Sequence, residues 1–195
     1  MLLKKVVLLA LIIAITFNIA CNNSTENVTN TPTQTTPQIT LVNLDQARKE
    51  LTDLYTQITN EFKDKKNTTL LSTINKDTKF KSELENNKWT SDGEKIRTTI
   101  EDNLKGIQEI KEMNCKINSV KTAENGLVVL EIESSIIGKY AVPNTPITAE
   151  LASKGKSSVN WAKKEGHWVM ISWQDLGGTM STDGNESEGS YFLGL

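Results

Sequence analysis

The segment SSVNWAKKEGHWVMISW, residues 157–173, decides the fold of this chain. Apolar and polar side chains alternate on both sides of a charged turn that ends in Gly166, which is the pattern of two antiparallel strands joined by a hairpin. The returning strand places apolar side chains on both faces, Trp168 and Met170 on one and Val169, Ile171 and Trp173 on the other. Such a strand is covered twice, by helices on one side and by a tail, a neighbouring element or a second subunit on the other.

A second hairpin precedes this one. Apolar and polar side chains alternate on both sides of Asn125-Gly126, a strong signal for a tight turn because both residues tolerate positive φ. The alternating apolar residues are Met113, Cys115 and Ile117 before the turn and Val128, Leu130, Ile132 and Ile136 after it. Pro143 and Pro146 interrupt the pattern and predict a loop. The second half of the chain is therefore predicted to be a run of antiparallel strands.

Helices come first in the chain. A long apolar stripe repeats at steps of three and four residues, through Leu44, Ala47, Leu51, Leu54, Tyr55, Ile58 and Phe62. Asn43 is the expected N-cap of this helix. A shorter helix is expected around residues 70–74, and a third opens with the capping-box spacing of Ser91 and Glu94. Residues 76–88 between them are polar and charged, which predicts a connection.

Helices followed by antiparallel strands give an α+β order. In this order, and above all in the hairpin of residues 157–173, the chain resembles the nuclear transport factor 2-like superfamily over about residues 44–176. The resemblance implies N-terminal helices packed on a curved antiparallel sheet. This cone-shaped α+β roll is shared with ketosteroid isomerases, polyketide cyclases and many small bacterial lipoproteins. Because one fold hosts unrelated functions, the resemblance implies no single activity.

The N-terminus carries an export signal. Lys4 and Lys5 precede an unbroken apolar run over residues 6–15, and Ala20 stands directly before Cys21. The segment resembles a bacterial lipoprotein signal, which implies cleavage before Cys21 and attachment of diacyl lipid and palmitate to the new N-terminal cysteine.

Two alternatives to a lipoprotein signal can be compared with the sequence. A transmembrane anchor needs about 20 apolar residues, and the twelve residues from Val6 to Phe17 are too few. An ordinary secretory signal cleaved elsewhere would leave Cys21 unmodified. Asn18 favours this second alternative, since the lipoprotein motif usually has an apolar residue three positions before the cysteine. Ile19, Ala20 and the polar segment after Cys21 favour lipidation.

Four segments are expected along the chain. Residues 1–20 form the signal peptide, and residues 21–38 comprise the lipidated cysteine and a linker rich in Thr, Asn and Pro. We expect this linker to be disordered, because it has too little apolar surface to fold. Residues 39–176 form the nuclear transport factor 2-like domain, and residues 177–195 form a flexible tail of Gly, Ser and acidic residues. The localisation predicted is the bacterial cell envelope, outside the cytoplasm.

Composition narrows the classes of partner. Removal of Lys4 and Lys5 on export leaves 20 of the 22 basic side chains against 24 acidic ones, a net charge of −4. A slightly acidic chain without a basic patch is not expected to bind nucleic acid. The chain has one histidine, His167, and two cysteines without ligand spacing, so neither a metal site nor another cofactor is expected.

No catalytic set is recognisable in the sequence. The isomerases with this fold use a carboxylate base with Tyr and protonated Asp partners, and Tyr55, Tyr140 and Tyr191 have no matching spacing. His167 follows the hairpin glycine and is expected to point into water. Cys115 lies in an alternating strand and is expected to be a small core residue.

We therefore expect a lipid-anchored binding or interaction module without catalytic activity. Its expected partners are the membrane, through the lipid, a second copy of the chain, through the sheet face, and a small apolar ligand. The alternative is an isomerase- or cyclase-type enzyme that acts on a small apolar ligand in the cone. The aromatic side chains predicted to line a pocket are Trp89, Tyr140, Trp161 and Trp173.

Overall fold

The computed structural model of the chain describes residues 42–81, 88–142 and 145–189, all of which belong to one compact unit. Cys21, the signal peptide and the linker, as predicted for residues 1–38, lie outside the described residues. Within the described ranges, no helix is both long and apolar enough to cross a membrane.

The first helix, α1, spans Leu44–Lys63. Asn43 caps it, because its Oδ1 accepts hydrogen bonds from the backbone N–H groups of Asp45 at 3.0 Å and Gln46 at 3.1 Å. Five residues of the predicted apolar stripe form its buried face, namely Ala47, Leu51, Tyr55, Ile58 and Phe62. This face packs against the sheet and forms one wall of the core.

The second helix, α2, spans Thr68–Thr73, and a side chain of α1 binds its first turn. Glu61 Oε2 accepts the backbone N–H of Thr69 at 2.8 Å, and Glu61 also accepts the hydroxyl of Thr69. Burial alone would raise the pKa of Glu61, but these hydrogen bonds outweigh it and lower the pKa. The carboxylate thus fixes the turn between the two helices.

The third helix, α3, spans Gly93–Gly106. Asp92 is its N-cap, with Oδ1 accepting a backbone N–H of the first turn at 2.9 Å. Arg97 of α3 donates hydrogen bonds to the carbonyls of Leu71 at 2.5 Å and Ile74 at 3.2 Å. These carbonyls lie at the end of α2 and the start of β1, so the guanidinium ties α3 to the junction of these two elements.

The described residues include seven strands, which form one curved sheet. They are β1 Ile74–Lys81, β2 Thr90–Ser91, β3 Ile107–Thr122, β4 Val128–Ala141, β5 Thr148–Lys164, β6 His167–Thr182 and β7 Asn185–Glu188. Their order is β2-β1-β6-β5-β4-β3, and β7 pairs with the C-terminal end of β6. The predicted α+β class, with N-terminal helices on a curved sheet, is confirmed. The pairing is antiparallel as predicted, except that β1 and β6 run parallel and make the sheet mixed.

The two faces of the sheet differ in character. The helices cover one of them, here called the inner face, which carries the buried side chains Leu130, Ile132, Val159 and Trp161. The opposite face, here called the outer face, carries the residues that alternate with these, among them Val129, Glu131, Ser158 and Asn160. The hydrophobic core therefore lies between the inner face and the three helices.

A β-bulge in β6 changes the faces predicted for its tryptophans. The cross-strand pairs on either side of it are Asn160–Ser172 and Trp161–Met170. Ile171 is therefore an extra residue in β6, and the alternation shifts by one position there. As a result Trp173 lies on the inner face together with Met170. The prediction that Trp173 shares a face with Val169 and Ile171 is wrong, because it assumed strict alternation through the bulge.

The sheet also extends beyond residue 176, where the sequence predicts a flexible tail. Strand β6 continues to Thr182, and β7 returns through a tight turn at Asp183 and Gly184, which have φ values of 49° and 81°. Backbone hydrogen bonds hold this polar segment, since it pairs with β5 on one side and with β7 on the other. Pairing of the backbone with strands on both sides therefore stabilises this polar segment more than burial of apolar side chains does.

Candidate binding groove

Aromatic side chains fill the interior of the cone between α1 and the inner face. Trp161 is fully buried and Tyr55 is 2% exposed. Their rings meet edge to face, with centroids 6.0 Å apart and planes inclined by 86°. Trp173 is also buried and stacks on Phe80. The space in which related folds could hold a ligand is, around these residues, packed with the protein's own side chains.

The polar groups of this interior are held in their neutral forms. Burial, and to a smaller degree the nearby Cys115 thiol, raise the pKa of Tyr55 well above its usual range. Burial also raises the pKa of the Cys115 thiol to about 12, so the reactive thiolate is scarce at neutral pH. Raised pKa values of this kind disfavour both groups as a base or nucleophile at neutral pH.

Carboxyl groups of the described residues give no sign of a catalytic base. Those whose pKa departs from the usual value all shift downwards, and they are Glu50, Glu61, Glu131 and Glu133. A proton-abstracting enzyme of the isomerase type would instead use a carboxyl with a raised pKa in an apolar pocket. Within the described part of the chain, no cluster of three or more His, Cys, Asp or Glu could hold a metal ion.

Across β3, β4 and β5 the outer face is a lattice of cross-strand ion pairs. These are Lys121–Glu131 at 3.1 Å, Lys111–Glu150 at 2.9 Å, Lys154–Glu133 at 2.7 Å and Lys139–Glu109 at 3.6 Å. Such exposed pairs remain hydrated and stabilise a fold only slightly. This part of the outer face is therefore a poor apolar contact surface, and the homodimer through the sheet face stays a prediction.

A groove of about 410 Å³ opens on the outer face near β1 and β6. Its lining residues are Lys79, Trp89, Leu127, Asn160, Ile171 and Ser172. They come from strands β1, β5 and β6, from the residue before β2 and from the turn before β4. The bulge in β6 explains why the consecutive residues Ile171 and Ser172 both line the groove.

Trp89 stands at one side of this groove and is 49% exposed. It directly precedes β2, whose pairing with β1 holds it beside Lys81. The ammonium Nζ of Lys81 lies 5.9 Å from the centroid of the indole ring, within cation–π distance. An exposed indole that neighbouring residues hold at the edge of a concave surface is well placed to contact a ligand.

The polar residues of the groove form a cross-strand row. Asn160 and Ser172 face each other on β5 and β6, and Asn160 Nδ2 donates a hydrogen bond to Ser172 Oγ at 2.7 Å. Lys79 faces Ser172 from β1 and is exposed. Among the described residues, no carboxylate forms an ion pair with Lys79. The groove thus combines an indole, an amide, a hydroxyl and a cation.

The four aromatic residues predicted to line a pocket do not come together. Trp89 lines the groove, whereas Trp161 and Trp173 are buried on the inner face. Tyr140 is half-buried and packs against the core. His167 begins β6 directly after the hairpin turn and is exposed, as the sequence predicts.

Sequence reasoning missed the residues that accompany Trp89 in the groove. Lys79 and Asn160 have ordinary surface patterns, and no motif distinguishes them. The signal that was available is the run of four consecutive non-polar residues from Trp168 to Ile171 followed by Ser172, which breaks the alternation at the bulge.

Only the comparison of structures found known proteins that are similar to this chain. No family model and no curated protein sequence matches the chain. A conserved protein from Planctomyces limnophilus DSM 3776 is similar in structure at a TM-score of 0.52 and 14% identity, covering 71% of this chain and 98% of its own. A type 2 hexachlorocyclohexane dehydrochlorinase (LinA) is similar at a TM-score of 0.50 and 10% identity, covering 77% and 91%.

An NTF2-like protein of unknown function from Shewanella oneidensis MR-1 also matches, at a TM-score of 0.48 and 12% identity, with 66% of this chain and 98% of that one covered. At such identities the likeness concerns the fold alone. Helices packed on a curved, open, mixed sheet in the observed strand order give the described part of the chain the α+β cone fold of nuclear transport factor 2-like proteins.

Proposed function

We propose that this protein is a lipid-anchored, extracytoplasmic binding module that holds its ligand in the groove beside Trp89 and does not catalyse a reaction. The observation that carries the proposal is the contrast between its aromatic residues. Trp161 and Tyr55 are buried and fill the interior of the cone, whereas Trp89 is 49% exposed beside a concave surface. Buried aromatic residues stabilise the fold, and an exposed one at a groove is available for recognition.

The anchoring part of the proposal rests on the N-terminal sequence. A basic start, a short apolar run and Cys21 precede a polar segment over residues 22–38. A flexible segment of that length has an average span of roughly 20 to 25 Å. Such a tether would keep the domain near the membrane and leave it free to turn its outer face towards a ligand in the envelope.

The alternative is an isomerase- or cyclase-type enzyme that acts on a small apolar ligand in the cone. One observation favours it. The Tyr55 hydroxyl and the Trp161 indole N–H are both buried, and neither forms a hydrogen bond of normal geometry with a described residue. Two buried donors side by side are the kind of group that stabilises a developing oxyanion. The neutral state of Tyr55 suits a donor, but the described carboxyl groups supply no matching base.

The experiment compares two variants in one binding assay. The mature protein is sedimented with cell envelopes from which detergent has removed the membranes, and the bound fraction is measured. Trp89→Ala should weaken binding by about tenfold or more, as for an aromatic side chain that carries much of the binding energy. Tyr55→Phe, which keeps the buried ring and removes the hydroxyl, should bind like the natural chain. Unchanged binding by Trp89→Ala would show that the groove is not the binding site. Weaker binding by Tyr55→Phe would favour the alternative, an enzyme with its site in the cone.

A further inference from the structure

The chemistry of the groove points to one class of ligand. We infer that the groove binds a pyranose sugar that carries a carboxylate, as found in acidic envelope glycans. This inference rests on the proposed function, since it names the ligand of the same groove. It follows from three features, which are the exposed indole, the polar pair on its floor and the lysine on β1 that no carboxylate of the described residues pairs with.

The indole of Trp89 supplies a flat apolar surface. It is exposed by half, and Lys81 approaches it to 5.9 Å. A pyranose ring has C–H groups on one face and hydroxyls around its edge, so it can place the apolar face on an indole while the edge reaches polar groups. Leu127 and Ile171 add apolar lining beside the indole. A purely apolar ligand would leave the polar lining unsatisfied.

The floor of the groove matches the edge of such a ring. Asn160 Nδ2 donates to Ser172 Oγ, which leaves the amide oxygen of Asn160 as an acceptor and the hydroxyl hydrogen of Ser172 as a donor. Adjacent sugar hydroxyls each donate and accept, so two of them can pair with this acceptor and donor. Because Asn160 and Ser172 are held by the cross-strand ladder, little freedom is lost when they bind.

Charge selects an acidic sugar over a neutral one. On the same face Lys121 and Lys154 each contact a glutamate at 3.1 Å or less. Lys79 has no such partner among the described residues, and it is the one charged residue in the described lining. The exposed ammonium of Lys79 beside a polar floor is complementary to a carboxylate, which would form a charge-assisted hydrogen bond with it.

The size of the groove favours a sugar over a membrane surface. Its volume of about 410 Å³ lies near the lower end of the range for small-ligand sites. The polar residues Asn160 and Ser172 are half-buried and buried, so a flat layer of lipid headgroups would not reach them easily. A recess of this kind accommodates one or two sugar rings better than it accommodates the flat surface of a membrane.

The test titrates the mature lipidated protein, in a non-ionic detergent, with methyl glucuronoside and with methyl glucoside. These probes differ by one carboxylate. Binding is measured by calorimetry and by the fluorescence of the tryptophans, of which Trp89 is the most exposed. The glucuronoside should bind about tenfold more tightly than the glucoside, since one charge-assisted contact separates them.

Four variants locate the site. Trp89→Ala should abolish binding of both sugars, and Trp89→Phe, which restores an aromatic plane, should recover part of it. Lys79→Gln should lower the affinity for the glucuronoside to that for the glucoside. Lys116→Gln, an exposed lysine of β3 outside the groove, should change neither affinity. Equal affinities for the two sugars, or equal effects of Lys79→Gln and Lys116→Gln, would overturn the inference.

The outcomes also separate this inference from the proposed function. If neither sugar binds, while Trp89→Ala still weakens binding to detergent-extracted envelopes, the groove binds another ligand and the inference is wrong. If Trp89→Ala leaves envelope binding unchanged, the proposed function itself is wrong. Tighter Trp89-dependent binding to vesicles of phosphatidylglycerol than to the glucuronoside would also overturn the inference, in favour of a membrane surface.

Discussion

Phe80 and Trp173 stack with ring centroids 5.0 Å apart and planes inclined by 18°. They face each other across the parallel pair of β1 and β6, and both are nearly fully buried. The neighbouring pair, Lys79 and Ser172, lies on the opposite face and lines the groove. One register between two strands therefore sets both a core contact on the inner face and a polar cross-strand pair on the outer face.

Phe80→Ala should destabilise the fold by about 3 kcal/mol or more, because it removes a buried aromatic side chain and leaves a cavity beside Trp173. Urea denaturation followed by tryptophan fluorescence measures the free energy of unfolding. Trp89→Ala is the matched control, since Trp89 is half-exposed and should cost much less. Equal costs for the two substitutions would contradict the assignment of Phe80 to the core and Trp89 to the surface.

The sequence indicates the α+β order and the buried face of α1 because these depend on local periodicity. Leu51, Tyr55 and Ile58 recur at helical spacing, and they are the residues that the sheet covers. Strand β1 escapes prediction because its sequence is mostly polar, with only Thr78 and Phe80 buried beyond its first residue. Its partner β6 is distant in the sequence, with Phe80 paired to Trp173, so the pairing leaves no local signal.

The groove could not be predicted for a related reason. It exists because the bulge at Ile171 turns Ser172 to the outer face, beside Asn160. Bulges change the face of every residue that follows, and a period of two cannot show where they occur. Trp89 was a candidate because of its residue type, but its neighbours in the groove come from strands that are distant in the sequence.

The hydrogen bonds of the Glu50 carboxylate lead us to expect that the stability of the fold depends on pH. Its carboxylate accepts hydrogen bonds from Lys163 Nζ at 2.7 Å and from Trp168 Nε1 at 2.8 Å, which join α1 to the hairpin of β5 and β6. The hydrogen bond from Lys163 does most to lower the pKa of Glu50, and a hydrogen bond from Gln46 is the next largest cause. A lowered pKa stabilises the fold above the unfolded-state pKa of about 4.3, and this contribution is lost as pH falls through the folded-state pKa.

Glu50→Gln should therefore lower the free energy of unfolding by about 1 kcal/mol at pH 7, a modest value because the carboxylate keeps contact with water. The difference from the natural chain should shrink as the pH falls below about 4. Asp53→Asn is the control, because its pair with Lys49 on the same helix is largely exposed, and it should leave stability unchanged. A loss in Glu50→Gln that is the same at all pH values would contradict this account.

The Cys115 thiol should resist alkylation. Cys115 is partly buried, and burial raises the pKa of its thiol to about 12, so little thiolate is present at pH 8. In a Cys21→Ser variant it is the sole cysteine of the chain, and iodoacetamide should modify it slowly in buffer and rapidly in denaturant. Rapid modification of the folded protein would show that the interior around Tyr55 and Cys115 opens to solvent.

Lipid attachment at Cys21 is tested by labelling with a fatty acid. The apolar run before it is too short to span a membrane, so the anchor should depend on the cysteine. Cys21→Ser should lose the label and accumulate as an uncleaved precursor, whereas Cys115→Ser should be labelled and processed normally. Unchanged labelling of Cys21→Ser would contradict the lipoprotein signal.

The central claim is that the ligand binds beside Trp89 while the interior of the cone stays closed. The four tryptophans report on it separately, because each gives one indole N–H signal in a nitrogen-15 NMR spectrum. The mature protein would be titrated with solubilised glycan fragments from the envelope. The account predicts that the Trp89 signal shifts while the signals of Trp161 and Trp173 stay in place. A shift of Trp161 with an unmoved Trp89 would contradict it.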